Sequence, residues 1–183
     1  MIPELIYVQD YISSLDEATL IEQLDQQTWL SPFKRRVQHY GYLYDYKKRT
    51  VTEDMFLGIL PDWLESIALR LHADGHIDDI PDQVIINEYV PGQGIALHVD
   101  CEPCFGDTIL SLSLGSDCVM GFSHLHSEAV HRQLLQAGSL VVMKKEARYE
   151  WQHGIAARKT DKINGLTVKR KRRLSLTFRK VVL

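Results

Sequence analysis

With 183 residues, 45% of them hydrophobic and 25% charged, the chain has the composition of one ordinary globular domain long enough to bury a sizeable core. No apolar run approaches the roughly 20 residues of a membrane span, the start Met1–Leu5 has no basic-then-apolar leader pattern, and three cysteines make no paired framework, so a cytoplasmic, monomeric protein with free thiols and no membrane partner is expected. The net charge of −3 excludes a bulk polycation, but basic residues gather at Lys34–Arg36, Lys47–Arg49 and Lys169–Arg173, which allows local phosphate binding.

In chain order, Leu5–Val8 is a short apolar stretch predicted as an edge strand. Ser14-Leu15-Asp16-Glu17 has capping-box spacing and opens a helix ending near Gln27, with Leu20, Ile21 and Leu24 at helical intervals. Tyr40, Tyr42, Tyr44 and Tyr46 then alternate, so a single strand puts all four on one face. That face either packs on a core or offers a stacking surface to a planar ring. Pro61 and the spacing of Trp63, Leu64, Ile67 and Leu71 predict an amphipathic helix stopping at Gly75. After it come short strands at Val84–Ile86, Ile109–Leu114, Leu140–Met143 and Leu174–Phe178, with glycine-marked turns between them. The reading is α+β, mainly β: a sandwich or jelly roll with the N-terminal helices on one face, in a single domain spanning 1–183.

The stretch Asn87–Asp100 reads as strand, glycine turn, strand. His98 and Asp100 lie two apart on the second strand, so they share a face, about 7 Å apart along the backbone. A metal needs a third ligand, and two His with one carboxylate around open positions is the facial triad of non-haem Fe(II) oxygenases. His124, His126, His131 and His153 are available, with His153 favoured by its place between Trp151-Gln152 and Gly154-Ile155. On the last strand Arg173, Ser175, Thr177 and Arg179 alternate onto one face. Two inward arginines are costly in a dry core, and a carboxylate anion between them relieves that cost.

Taken together, Asn87-x-Tyr89, Gly92-x-Gly94-Ile95, His98-x-Asp100, Trp151-x-His153-Gly154-Ile155 and Arg173-x-Ser175-x-Thr177-x-Arg179 resemble the AlkB family of Fe(II)/2-oxoglutarate dioxygenases over most of the chain. The look is nearest to the AlkB-homologue domain of tRNA wobble-uridine-modifying enzymes. The resemblance implies a double-stranded β-helix with its core at 84–183, a nucleotide-recognition lid at 30–50, and Fe(II), 2-oxoglutarate and O2 as cofactor and cosubstrates. It implies iron on His98, Asp100 and His153. The distal carboxylate of 2-oxoglutarate falls to Arg173 and Tyr89, the end nearer the metal to Arg179 and Asn87. Ser175 stands where many members have Asn. Glu102, two after the metal Asp, is placed at the edge of the substrate base. The activity implied is oxidation of an alkylated or modified base, with oxidative N-demethylation first and hydroxylation of a modified wobble uridine as the alternative. Tyr40 and Tyr42 are expected to stack on the base, and Arg35 and Arg36 to meet phosphates of single-stranded DNA or RNA, including tRNA.

Rival readings are a protein substrate within the same enzyme class, a non-enzymatic nucleic-acid-binding module that keeps the barrel, and structural zinc at Cys101-Glu102-Pro103-Cys104. Zinc needs two further ligands at sensible spacing, which the sequence does not offer.

Overall fold

The computed structural model describes residues 1–183. Three helices, α1 (Ser14–Asp25), α2 (Asp62–Ala73) and the short α3 (Lys145–Tyr149), accompany twelve strands. In chain order the strands are β1 (Leu5–Val8), β2 (Val37–Tyr40), β3 (Gln83–Tyr89), β4 (Ile95–His98), β5 (Phe105–Leu114), β6 (Cys118–His124), β7 (Val130–Leu135), β8 (Leu140–Lys144), β9 (Trp151–Ile155), β10 (Thr160–Ile163), β11 (Leu166–Lys169) and β12 (Arg173–Val181). Six form one antiparallel sheet in the order β1-β8-β5-β12-β3-β2, four form a second in the order β4-β9-β6-β7, and β10-β11 is a separate hairpin. This is the expected jelly roll.

Strand alternation divides the six-stranded sheet into two working faces. Val84, Ile86, Leu110, Leu112, Leu140, Leu174, Leu176 and Phe178 point to one side and join α1 (Leu20, Leu24) and α2 (Leu64, Ala68, Leu71) in a single core cluster. Both helices therefore cover the same face, as the sequence predicts. The residues between them, including Ile109, Val141, Met143 and Tyr89, point the other way and meet Met120, Phe122, Trp151 and Ile155 of the four-stranded sheet. The site is built in the gap between the two sheets.

Four local expectations are corrected. The cap of α1 is Ser13 rather than Ser14: its hydroxyl accepts from the Asp16 backbone N–H at 3.1 Å, and the helix ends at Asp25. The tyrosines do not share a face. At Gly41 the chain turns with φ +77°, so close to the Asp82 carbonyl that a Cβ there would lie 1.8 Å from its oxygen. Strand β2 ends before it, and the rings diverge: Tyr40 packs on Trp63 at 5.5 Å, Tyr42 on Phe56 at 5.1 Å, and Tyr44 on Tyr46 at 4.9 Å. The polar stretch Phe122–Glu128, which reads as loop-like in sequence, begins as the end of strand β6, with His124 its last residue and the turn following. Finally, Cys101 and Cys104 are not free thiols but a disulfide, leaving only buried Cys118 free. No helix is long and apolar enough to cross a membrane.

Candidate active site

Strand β4 ends at His98, directly opposite His153 on β9, and the two rings lie 4.5 Å apart between centroids. Asp100 follows two residues beyond, just past the strand. The ligand atoms of His98, Asp100 and His153 all lie within 4.8 Å of one another. Of the four histidines considered for the third position, the fold brings His153 to the site. His124 instead contacts Ser127 and Trp151, and His131 packs beside Phe122.

The protonation states suit a metal. Burial works against the charge on Asp100, but Arg179, His153 and His98 outweigh it and hold the carboxyl at about 2. Burial, then the neighbouring His98, pushes His153 down to about 4. Near neutral pH these two are a carboxylate and a neutral imidazole, the forms that ligate. The His98 Nδ1 lies 2.9 Å from the Ala96 carbonyl, which directs Nε2 toward the cluster. Asp100 divides its oxygens: Oδ1 accepts from Arg179 Nη1 at 2.7 Å, while Oδ2 faces His153 Nε2 at 3.5 Å.

Beside this cluster is a cavity of about 260 Å³. Its sheet wall comes from β3 (Ile85, Asn87, Tyr89) and β12 (Ser175, Thr177, Arg179), which pair in register Ser175 to Asn87 and Arg173 to Tyr89. Arg173 does not line this cavity but sits behind Tyr89, its guanidinium 5.6 Å from the ring, and is 2% exposed. Its Nη2 donates to Ser113 Oγ at 2.9 Å, but Nε and Nη1 have no partner, nor does Arg179 Nη2. Arg179 lines the cavity itself and Arg173 lies one side chain behind its wall, and buried guanidinium N–H groups left open favour an anionic ligand. Ser175 spends its hydroxyl on Ser111, with 3.0 Å between the oxygens.

The residues chosen for base and phosphate contacts fare unevenly. Tyr40 and Tyr42 do not line the cavity; Tyr44 and Tyr46 do. The turn at Gly41 decides which of the four rings faces the cavity. Arg35 lines the cavity, whereas Arg36 turns away to pair with Glu88 at 2.8 Å. Glu102 is exposed in the turn after Asp100 and does not line the cavity. Arg49, the last residue of the basic cluster Lys47–Arg49, also lies in the cavity wall.

A family model described as the 2OG-Fe(II) oxygenase superfamily matches residues 7–179. The chain belongs to that superfamily. Its relatives place it among the AlkB-like oxygenases. It is 42% identical to the tRNA (carboxymethyluridine(34)-5-O)-methyltransferase alkbh8 of Xenopus tropicalis, over 98% of this chain and 32% of the relative. It is 34% identical to the alkylated DNA repair protein ALKBH8 homolog of Arabidopsis thaliana, over 98% of this chain and 59% of the relative. An uncharacterized protein of Acanthamoeba polyphaga mimivirus is 33% identical, over 96% of this chain and 83% of the relative. The chain thus spans about a third of the length of the Xenopus relative, 32%. Among solved structures, that of OsALKBH1 superposes with a TM-score of 0.75 at 17% identity, covering 98% of both chains, which speaks to the fold. As an oxygenase of this superfamily the protein uses Fe(II), 2-oxoglutarate and O2, and the His-Asp-His cluster has the ligand types that could hold the iron.

Proposed function

We propose that this oxygenase oxidises a C–H bond on a modified uridine of tRNA. The observation that carries the substrate is the 41–42% identity, over 98% of this chain, to relatives whose names specify carboxymethyluridine at position 34 of tRNA. Iron would sit on His98, Asp100 and His153. When bound, it couples decarboxylation of 2-oxoglutarate to succinate with transfer of one oxygen atom from O2 to the substrate C–H.

The chain's own residues supply the positioning. Arg173, with Tyr89 beside it, takes the distal carboxylate of 2-oxoglutarate through the open Nε and Nη1. Asn87, Ser175 and Arg179 line the cavity toward the metal cluster, and Arg179 keeps Asp100 ionised and fixed in orientation through Oδ1. The base enters between His98 and the rings of Tyr44 and Tyr46, where stacking holds it and excludes water. A base that is single-stranded or already extruded is preferred, since flipping one out of a duplex costs a few kcal/mol.

A second reading, oxidative N-demethylation, is favoured by relatives named a probable RNA/DNA demethylase in Danio rerio (29% identical) and a DNA N6-methyl adenine demethylase in Caenorhabditis elegans (25%). The test is succinate release from the iron-loaded protein against a panel of tRNA with a modified wobble uridine, the unmodified tRNA and N-methylated oligonucleotides. Formaldehyde is measured in parallel. Succinate coupled to the modified tRNA without formaldehyde supports the first reading. Formaldehyde from the methylated oligonucleotides alone replaces it with the second. Turnover on none of them removes nucleic acid as the substrate.

A further inference from the structure

Arg35 is a cavity residue whose role the iron site does not explain. It comes from the segment before β2, outside both sheets, yet its Nε donates to Asn87 Oδ1 at 2.8 Å inside the pocket. Its guanidinium carbon lies 4.9 Å from the Phe33 ring and 5.9 Å from the Tyr89 ring. Arg173 approaches the same Tyr89 ring at 5.6 Å. Two guanidinium groups, one from the N-terminal segment and one from the last strand, thus meet at one aromatic side chain. Neither Nη atom of Arg35 has a protein partner, so both remain free to donate.

The placement is held from both sides. Lys34 is tied through its carbonyl, which accepts from Gln93 Nε2 at 2.7 Å. Arg36 is turned outward: its Nη2 donates to Glu88 Oε1 at 2.8 Å, and its guanidinium lies over Trp29 at 4.9 Å. Glu88, 4% exposed, also accepts from Arg172 Nε at 2.6 Å, and Arg172 continues to Asp25 at the end of α1. With Arg36 and Arg172 both held on one buried carboxylate, Arg35 is the member of its pair that faces the cavity, and Arg173, the first residue of β12, is the one buried behind Tyr89.

Charge fits the same picture. The cavity wall carries Arg35, Arg49 and Arg179 against a single carboxylate, Asp100, already paired with Arg179. Such a site suits a dianion better than a monoanion. We propose that Arg35 is a second cation for the distal carboxylate of the 2-oxo acid, acting with Arg173 and set in place by Glu88 as a positioning residue. This rests on the proposed cosubstrate clamp, and it assigns Arg35 to the cosubstrate rather than to a nucleic-acid phosphate.

The test is anaerobic calorimetry on the Mn(II)-loaded full chain, titrated with 2-oxoglutarate and with 2-oxovalerate, in which a methyl replaces the distal carboxylate. Arg35→Ala is expected to weaken 2-oxoglutarate roughly tenfold, as loss of one partly exposed charge-assisted contact should. It should leave 2-oxovalerate and Mn(II) affinity unchanged, which also shows that the variant is folded. Arg35→Lys should recover part of the loss, because the charge returns without the fork. Glu88→Gln should weaken 2-oxoglutarate by a smaller factor, again sparing 2-oxovalerate. Arg173→Ala is the control. If Arg173→Ala weakens 2-oxoglutarate and Arg35→Ala does not, the role of Arg35 is overturned and the clamp stands. If neither does, the clamp itself is wrong. If Arg35→Ala instead weakens only single-stranded RNA binding, Arg35 is a phosphate contact and the inference fails.

Discussion

Replacing Arg179 by Met isolates the electrostatics of the metal cluster. The substitution keeps much of the side-chain length and removes the charge. It breaks the 2.7 Å pair with Asp100, whose partners are 5% and 9% exposed, and the 2.9 Å bond from Arg179 Nε to Gln83 Oε1. Breaking a buried pair on one side costs about 3–5 kcal/mol because the remaining charge is left uncompensated. That is a large share of the roughly 5–15 kcal/mol stability of a domain, but it leaves the protein folded in most of that range. For a chain of this size the melting temperature should fall by roughly 6–20 °C in chelator. The metal then becomes the main countercharge for Asp100. A cation at Oδ2 should offset part of the loss, and stabilisation by Mn(II) should be larger in the variant than in the parent by about 1–3 kcal/mol. Urea unfolding of both proteins, with chelator and with saturating Mn(II), measures this directly. A loss under about 1 kcal/mol in chelator, or the same Mn(II) increment in both proteins, refutes the account of Asp100 as a ligand shared between Arg179 and a metal.

Three further outcomes are expected. Asp100→Asn and His153→Ala should each abolish the rise in melting temperature on adding Mn(II), while His126→Ala, in the turn after β6, leaves it intact; a retained rise in His153→Ala would mean another side chain completes the set. Gly41→Ala forces a side chain into the left-handed φ of +77° against the Asp82 backbone; it should cost at least about 2 kcal/mol and raise KM for the base substrate through Tyr44 and Tyr46, and a wild-type urea midpoint would show that the turn yields. Burial, with Arg179 behind it, pushes His39 down from 6.5 to about 4, and its Nδ1 is unpartnered; below pH 6.5 the unfolded chain takes up a proton that the folded chain refuses, so stability should fall toward pH 4, by roughly 2 kcal/mol at pH 5, and His39→Leu should flatten that slope.

The sequence by itself determined whatever depends on local periodicity. Alternation in β3 and β12 separated the residues under the helices from those facing the cavity, because a strand's two faces are decided within a few residues of one another. The cavity-facing side chains of Ser175, Thr177 and Arg179 were legible for the same reason, whereas strand β4 stops at His98 and Asp100 reaches the cluster from just beyond it. Tertiary structure decided everything that needed two distant segments to meet. His153 became the third member because β9 pairs with β4 at His98, a register no local pattern specifies. The tyrosine ribbon failed because the Asp82 backbone crowds Gly41 and turns the chain after Tyr40. Arg35 and Arg36 looked alike as a basic pair, and Cys101 and Cys104 looked like free thiols. Only the buried Glu88 carboxylate, 52 residues away from Arg36, sends one arginine outward and its neighbour into the pocket. Likewise the turn after Asp100 closes the Cys101–Cys104 disulfide. Partners fixed by long-range packing are invisible to a short window of sequence, whereas facedness is not.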